Sequence, residues 1–162
     1  MYLLNKTPLF LEFLKRFMNK AGYVFEDENI QNKLFLHSKC NCKQKDCATV
    51  YLYSKKPFKE DSTGINIFNT NKGYIIVHIL DEGYFEFEAL LYKKYPYKKE
   101  IDKFFNKNRK IDKKVPKLKN NIKKISDKDM KKIDDYFNDF EILEPNIIDL
   151  GEIDFNEINK KD

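Results

Sequence analysis

Tryptophan is absent from these 162 residues, and only Arg16 and Arg109 among the 31 basic residues are arginine. Cysteine is scarce too, with three residues crowded between positions 40 and 47. A disulfide framework would spread an even number of cysteines along the chain, so these three point to a reduced, cytoplasmic protein. The shortage of arginine removes the usual reader of base edges. It leaves lysine, asparagine and isoleucine in excess, as AT-rich coding produces without selection for function. No apolar stretch approaches the roughly 18–20 residues of a membrane span. The N-terminal run MYLLNKTPLFLEFLKRF is interrupted by Glu12, Lys15 and Arg16 and lacks a small-residue cleavage site, so it is not read as a signal peptide. No GxxxxGK[ST], GxGxxG or HExxH occurs. No serine or cysteine sits in a motif that would pair it with His37 or His78 as a base. The expectation is a protein that is not an enzyme.

Aromatic residues are plentiful. Phe (14) and Tyr (10) within a 41% hydrophobic composition supply a core despite a mean hydropathy of -0.69, and the length suits one domain over 1–162. Charge is segregated along the chain. Residues 93–132 hold 17 Lys/Arg against 5 Asp/Glu, residues 133–162 hold 2 against 10, and residues 1–92 are nearly balanced at 12 against 11. A near-neutral body therefore carries a basic segment and then an acidic tail.

The strongest local pattern is GYIIVHILDEGYFEFEALLY at 73–92. Phe85, Phe87, Ala89 and Leu91 alternate with Glu86 and Glu88, and Gly83 can take the positive φ of a short reversal, which predicts a β-hairpin with one face buried. Leu34–Lys39, Ala48–Tyr53 and Ile65–Phe68 read as further strands, with Asn71-Lys72-Gly73 turning into the hairpin. Before the sheet, Thr7-Pro8 starts a helix over 8–21, Phe10, Phe13, Leu14, Phe17 and Met18 form its apolar stripe, and Gly22 ends it. After it, Pro96 opens a helix with Ile101, Phe104 and Phe105 buried. A basic connector follows, and Ser126 caps a last helix with Asp129 three residues on and Met130, Ile133, Phe137 and Phe140 on its apolar face. The fold expected is α+β. An antiparallel meander of four to five strands at about 33–92 sits with an N-terminal helix, a helical and basic region at 97–140 and an acidic tail at 141–162.

Chemistry concentrates in HSKCNCKQKDC at 37–47. His37, Cys40, Cys42 and Cys47 offer one imidazole and three thiols, a set that suits tetrahedral, structural zinc, and Lys39, Lys43 and Lys45 favour the thiolates zinc needs. The single residue between Cys40 and Cys42 is tighter than the usual spacing, so a plain hairpin loop with partly buried thiols is the bland alternative. His78 shares a strand face with Ile76 and reads as a hydrogen-bonded structural residue. Glu86 and Glu88, about 7 Å apart by strand rise, read as a solvated strand face before they read as an acid/base pair. The lysines of 93–132, with Tyr92, Tyr95, Tyr97, Phe104 and Phe105 in or beside them, would suit phosphate contacts on nucleic acid.

Two stretches carry a family resemblance. CNCKQKDCATVYLY at Cys40–Tyr53, and Tyr74–Tyr97, ending YFEFEALLYKKYPY, resemble small bacterial proteins found among the immunity proteins of polymorphic toxin systems. The C-x-C-x4-C loop feeding a strand and the acidic-aromatic hairpin carry it, over under a third of the chain. It implies a protein that binds and blocks a partner toxin. No functional residue is carried over from that family. The bets for partner contact come from residue type instead: Tyr51, Tyr53, Tyr84, Glu86 and Glu88, tyrosine anchors with a charged rim. A zinc-stabilised nucleic-acid-binding domain using 93–132 is the alternative.

Overall fold

A computed structural model describes residues 1–23, 34–54, 63–80, 83–92, 94–108 and 124–143. The polar loop at 26–29, most of the basic connector and the acidic tail beyond 143 lie outside them. Six strands form one antiparallel sheet: β1 (Tyr2–Leu3), β2 (Leu34–Lys39), β3 (Val50–Ser54), β4 (Gly64–Thr70), β5 (Gly73–Ile79) and β6 (Tyr84–Leu91), in the spatial order β1-β2-β3-β6-β5-β4. Among the described residues three α-helices accompany it, giving an α+β fold: α1 (Pro8–Lys20), α2 (Lys98–Lys107) and α3 (Asp127–Asn138).

Two expectations are corrected. The described residues form six strands, not four to five, because Tyr2 and Leu3 pair with Leu36 and Phe35; two residues are too few to show alternation. Nor is the sheet a simple meander. β3 meets β6, and β4 lies at the far edge beyond β5. Local turn signals join β4 to β5 and β5 to β6, but they cannot say which strand of that unit docks on β3. The matching of inward faces decides it, with Val50 opposite Phe87 and Leu52 opposite Phe85.

The inward side chains Val50, Leu52, Ile75, Val77, Phe85, Phe87, Ala89 and Leu91 are buried with the α1 stripe expected from its helical spacing. Phe87 sits at the middle, its ring 6.0, 6.3 and 5.6 Å from those of Phe10, Phe13 and Phe17. Tyr95 and Tyr97 join this core at 7% and 0% exposure. Both are taken up by the core, the Tyr95 ring packing on Tyr97 and the Tyr97 ring on Phe10 and Phe13.

Helix ends combine local and distant chemistry. Gly22, at φ 89, closes α1 in a Schellman arrangement, with Tyr23 N–H donating to Met18 O and Gly22 N–H to Asn19 O. Ser126 Oγ accepts from Asp129 N–H as its sequence position predicts. Thr7 behaves otherwise. It occupies the N-cap position, but its hydroxyl donates back to Leu4 O and caps nothing. The free donors at the start of α1 are taken from 90 residues away: Glu100 of α2 accepts from Leu9 N–H at 3.1 Å and Phe10 N–H at 2.9 Å. A carboxylate there satisfies orphan donors and complements the helix dipole. Glu100→Ala is expected to cost about 1–2 kcal/mol in urea denaturation, and Glu100→Gln less, because an amide oxygen still accepts one bond.

Candidate functional site

Strand alternation places the five suspected contact residues on one side of the sheet, opposite the core. Tyr51 stands across from Glu86 and Tyr53 from Tyr84 in the β3–β6 pairing, and Glu88 stands across from Ile76 in the β5–β6 pairing. The Tyr53 and Tyr84 rings meet edge-on at 5.2 Å. Among the described residues, four of the five large apolar side chains that remain exposed, Tyr74, Tyr84, Leu90 and Tyr92, lie on or at the end of this same face. Tyr74 and Leu90 are register partners, and the Tyr74 and Tyr92 rings are 6.2 Å apart. Sequence reasoning missed Tyr74, Ile76 and Leu90 as surface residues. β5 is apolar on both sides, so its pattern alone does not say which side faces in, whereas alternation carried across from β6 would have shown it.

His78 also belongs to this face. Its Nδ1 lies 3.2 Å from Glu86 Oε2, so Glu86 has an imidazole partner, and Glu88 lies nearer the cysteine loop. Burial raises the Tyr51 phenol pKa, and the Cys40 thiol and the carboxylates of Glu88 and Glu86 push the same way. Tyr51 is thus the link between the acidic patch and the thiols.

The cysteine loop is closed between β2 and β3, where Cys40 N–H donates to Thr49 O at 3.2 Å. Its far end is fastened to β6 by Ala48 N–H on Ala89 O (2.8 Å) and Leu91 N–H on Asp46 O (2.9 Å). Two core tyrosines hold it from below, Tyr95 OH donating to Cys47 O at 2.7 Å and Tyr97 OH to Ala48 O at 2.8 Å. These tyrosines carried no local signal of that role. The loop therefore stands on rigid core, although its tip is exposed.

Cys40, Cys42 and Cys47 converge, each pair of sulfurs within 4.8 Å, and could hold a metal ion. His37 is not in that group. A register shift between Leu36 and Ser38 turns it aside, its Nδ1 lies 2.9 Å from Ser38 Oγ, and its ring faces Tyr84 at 6.1 Å. Burial, helped by the N-terminal ammonium, pushes the His37 pKa below its ordinary value. The signal that separates His37 from the thiols is a bulge, and a bulge leaves no mark in a six-residue strand pattern. Lys39, expected near the thiols, is 2.6 Å from Asp102 of α2. Burial works to raise the Asp102 pKa, but the ammonium groups of Lys39 and Lys98 outweigh it and leave that carboxyl below its usual value.

Several basic residues are engaged within the chain. Arg16 bridges Glu12 (3.0 Å) and Asp134 (2.6 Å), tying α1 to α3. Lys98 pairs with Asp102 at 3.0 Å and Lys132 with Asp129 at 2.9 Å. Lys94, Lys99, Lys103 and Lys107 are exposed. No described helix is long and apolar enough to cross a membrane. Comparison of the chain with family models, with curated proteins and with solved structures gave no match.

Proposed function

We propose that this chain is a non-enzymatic, cytoplasmic binding protein of the immunity type, which holds a partner protein against the open face of its sheet. The observation that carries the reading is the convergence of Tyr51, Tyr53, Tyr84, Glu86 and Glu88 with Tyr74 and Leu90 on a face that no described helix covers. Rigid tyrosines around a desolvated centre supply most binding energy in protein interfaces, and a carboxylate pair selects a partner presenting lysine or arginine. A toxin with a basic active site has that chemistry. The nucleic-acid alternative, on the lysines of 93–132, draws less support, since Tyr95 and Tyr97 are buried and Lys98 and Lys132 already have carboxylate partners, which leaves it Lys94, Lys99, Lys103 and Lys107 among the described residues.

Native mass spectrometry of the protein purified gently from its own host tests this. A stoichiometric protein partner is expected, bound by the unaltered chain and lost with Tyr84→Ala and with Glu88→Lys. Each substitution should weaken the complex roughly 30-fold or more, the loss typical of an interface hot spot, while the melting temperature of the free protein holds. A partner retained equally by both variants would overturn the proposal. So would a protein that carries only oligonucleotide, released steeply as salt rises.

A further inference from the structure

Zinc held by three thiolates places its sulfurs about 3.8 Å apart, from Zn–S bonds of about 2.3 Å in a tetrahedron. The sulfurs of Cys40, Cys42 and Cys47 are already within 4.8 Å of one another, and Cys42 stands on the exposed part of the loop. The loop also supplies a backbone donor to one of these sulfurs. Cys42 N–H donates to Cys40 Sγ at 3.4 Å. Donors of this kind orient metal-bound sulfur and disperse its charge.

The ligand set is short by one. His37, the fourth candidate from sequence, is committed to Ser38 and Tyr84, and the convergent group contains thiols alone. The cluster is flanked by two spaces. One of about 70 Å³ lies toward Lys98 and Asp102 of α2, and the other, of about 240 Å³, opens onto the sheet face beside Tyr51, Tyr74 and Glu88. A site with three protein ligands keeps one position for water or another donor. Thiolates select zinc over oxygen-seeking calcium or magnesium.

We infer that Cys40, Cys42 and Cys47 bind one zinc ion as a three-thiolate site whose fourth position is open to water or an outside ligand. Binding displaces the thiol protons to solvent. The inference rests on the loop and not on the partner-binding reading, and the two fail separately, since Tyr84→Ala and Glu88→Lys leave every thiol in place.

Cobalt(II) titration of the reduced, metal-stripped full chain tests it. One equivalent should develop thiolate-to-cobalt absorption in the near ultraviolet and tetrahedral d–d bands in the visible, both abolished by one equivalent of zinc. Added imidazole should shift the d–d bands, because the fourth position is exchangeable. His37→Ala should reproduce the unaltered spectrum. Cys42→Ser, at an exposed position that the fold does not need, should weaken zinc at least tenfold in competition with a chromophoric chelator, since even outer-shell changes cost 10–100-fold. Absence of the bands at one equivalent would overturn the inference. So would zinc affinity unchanged in Cys42→Ser, or bands that ignore imidazole and disappear in His37→Ala, the mark of a closed four-ligand site.

Discussion

Gly73→Ala is expected to be among the most damaging single substitutions in the described chain. Gly73 leaves the Asn71-Lys72 turn at φ 135, a conformation that L side chains rarely adopt, and a Cβ there would lie 2.0 Å from the Leu90 carbonyl oxygen. Leu90 belongs to the central strand β6, so the clash cannot be relieved by moving a flexible side chain. Gly73 must retreat and break its pairing with Leu91, or the β4–β5 hairpin must tilt off β6. The loss should be on the order of 3 kcal/mol or more, combining a strained φ with backbone overlap. That is a large part of the roughly 5–15 kcal/mol that stabilises a typical domain. Gly22→Ala provides the control. Its φ of 89 is also positive, but a Cβ there meets nothing within 4 Å, so only the conformational cost of about 1–2 kcal/mol applies. Urea denaturation of the two variants separates the terms. Equal losses would show that the close approach to Leu90 is not what makes glycine necessary at 73.

Phe87→Ala should cost about 3–5 kcal/mol, the range for truncating a fully buried phenylalanine. Phe87 is 0% exposed and lies edge-on to three α1 rings, so its removal takes away the surface on which the helix seats. Collapse into the cavity is opposed on both sides, because Val50 of β3 and Val77 of β5 hold their positions through the sheet ladder. Leu90→Ala, three residues along on the open face and 42% exposed, should change stability by no more than about 0.5 kcal/mol. A loss at Leu90 comparable to that at Phe87 would mean that the open face is covered in the free protein, and the partner-binding reading would lose its surface.

The two variants also divide β6 by function. Phe85, Phe87, Ala89 and Leu91 hold the fold, and Tyr84, Glu86, Glu88 and Leu90 are available to a partner. This division was legible in the sequence, since near-strict alternation over eight residues fits a strand buried on one side and little else. The α1 stripe, the Gly22 terminus and the Ser126 cap were equally legible, because each depends on residues within a few helical turns of one another. β2 occupies the span its composition predicts, and β3 and β4 differ from theirs by only a few residues.

What the sequence by itself determined is the described elements other than β1, the inner and outer faces of α1 and β6, and the gathering of three cysteines into one loop. Tertiary structure alone decided where those pieces meet. β6 rather than β4 lies on β3, Glu100 caps a helix 90 residues earlier, Tyr95 and Tyr97 leave the basic segment to anchor the cysteine loop, and a bulge turns His37 away from the thiols. The reason is range. Alternation, helical spacing and capping are energies between near neighbours and leave a periodic trace. Strand order, a distant cap and a tyrosine hydroxyl beneath a loop are energies between residues about 30–90 positions apart, and they form only when the whole core closes.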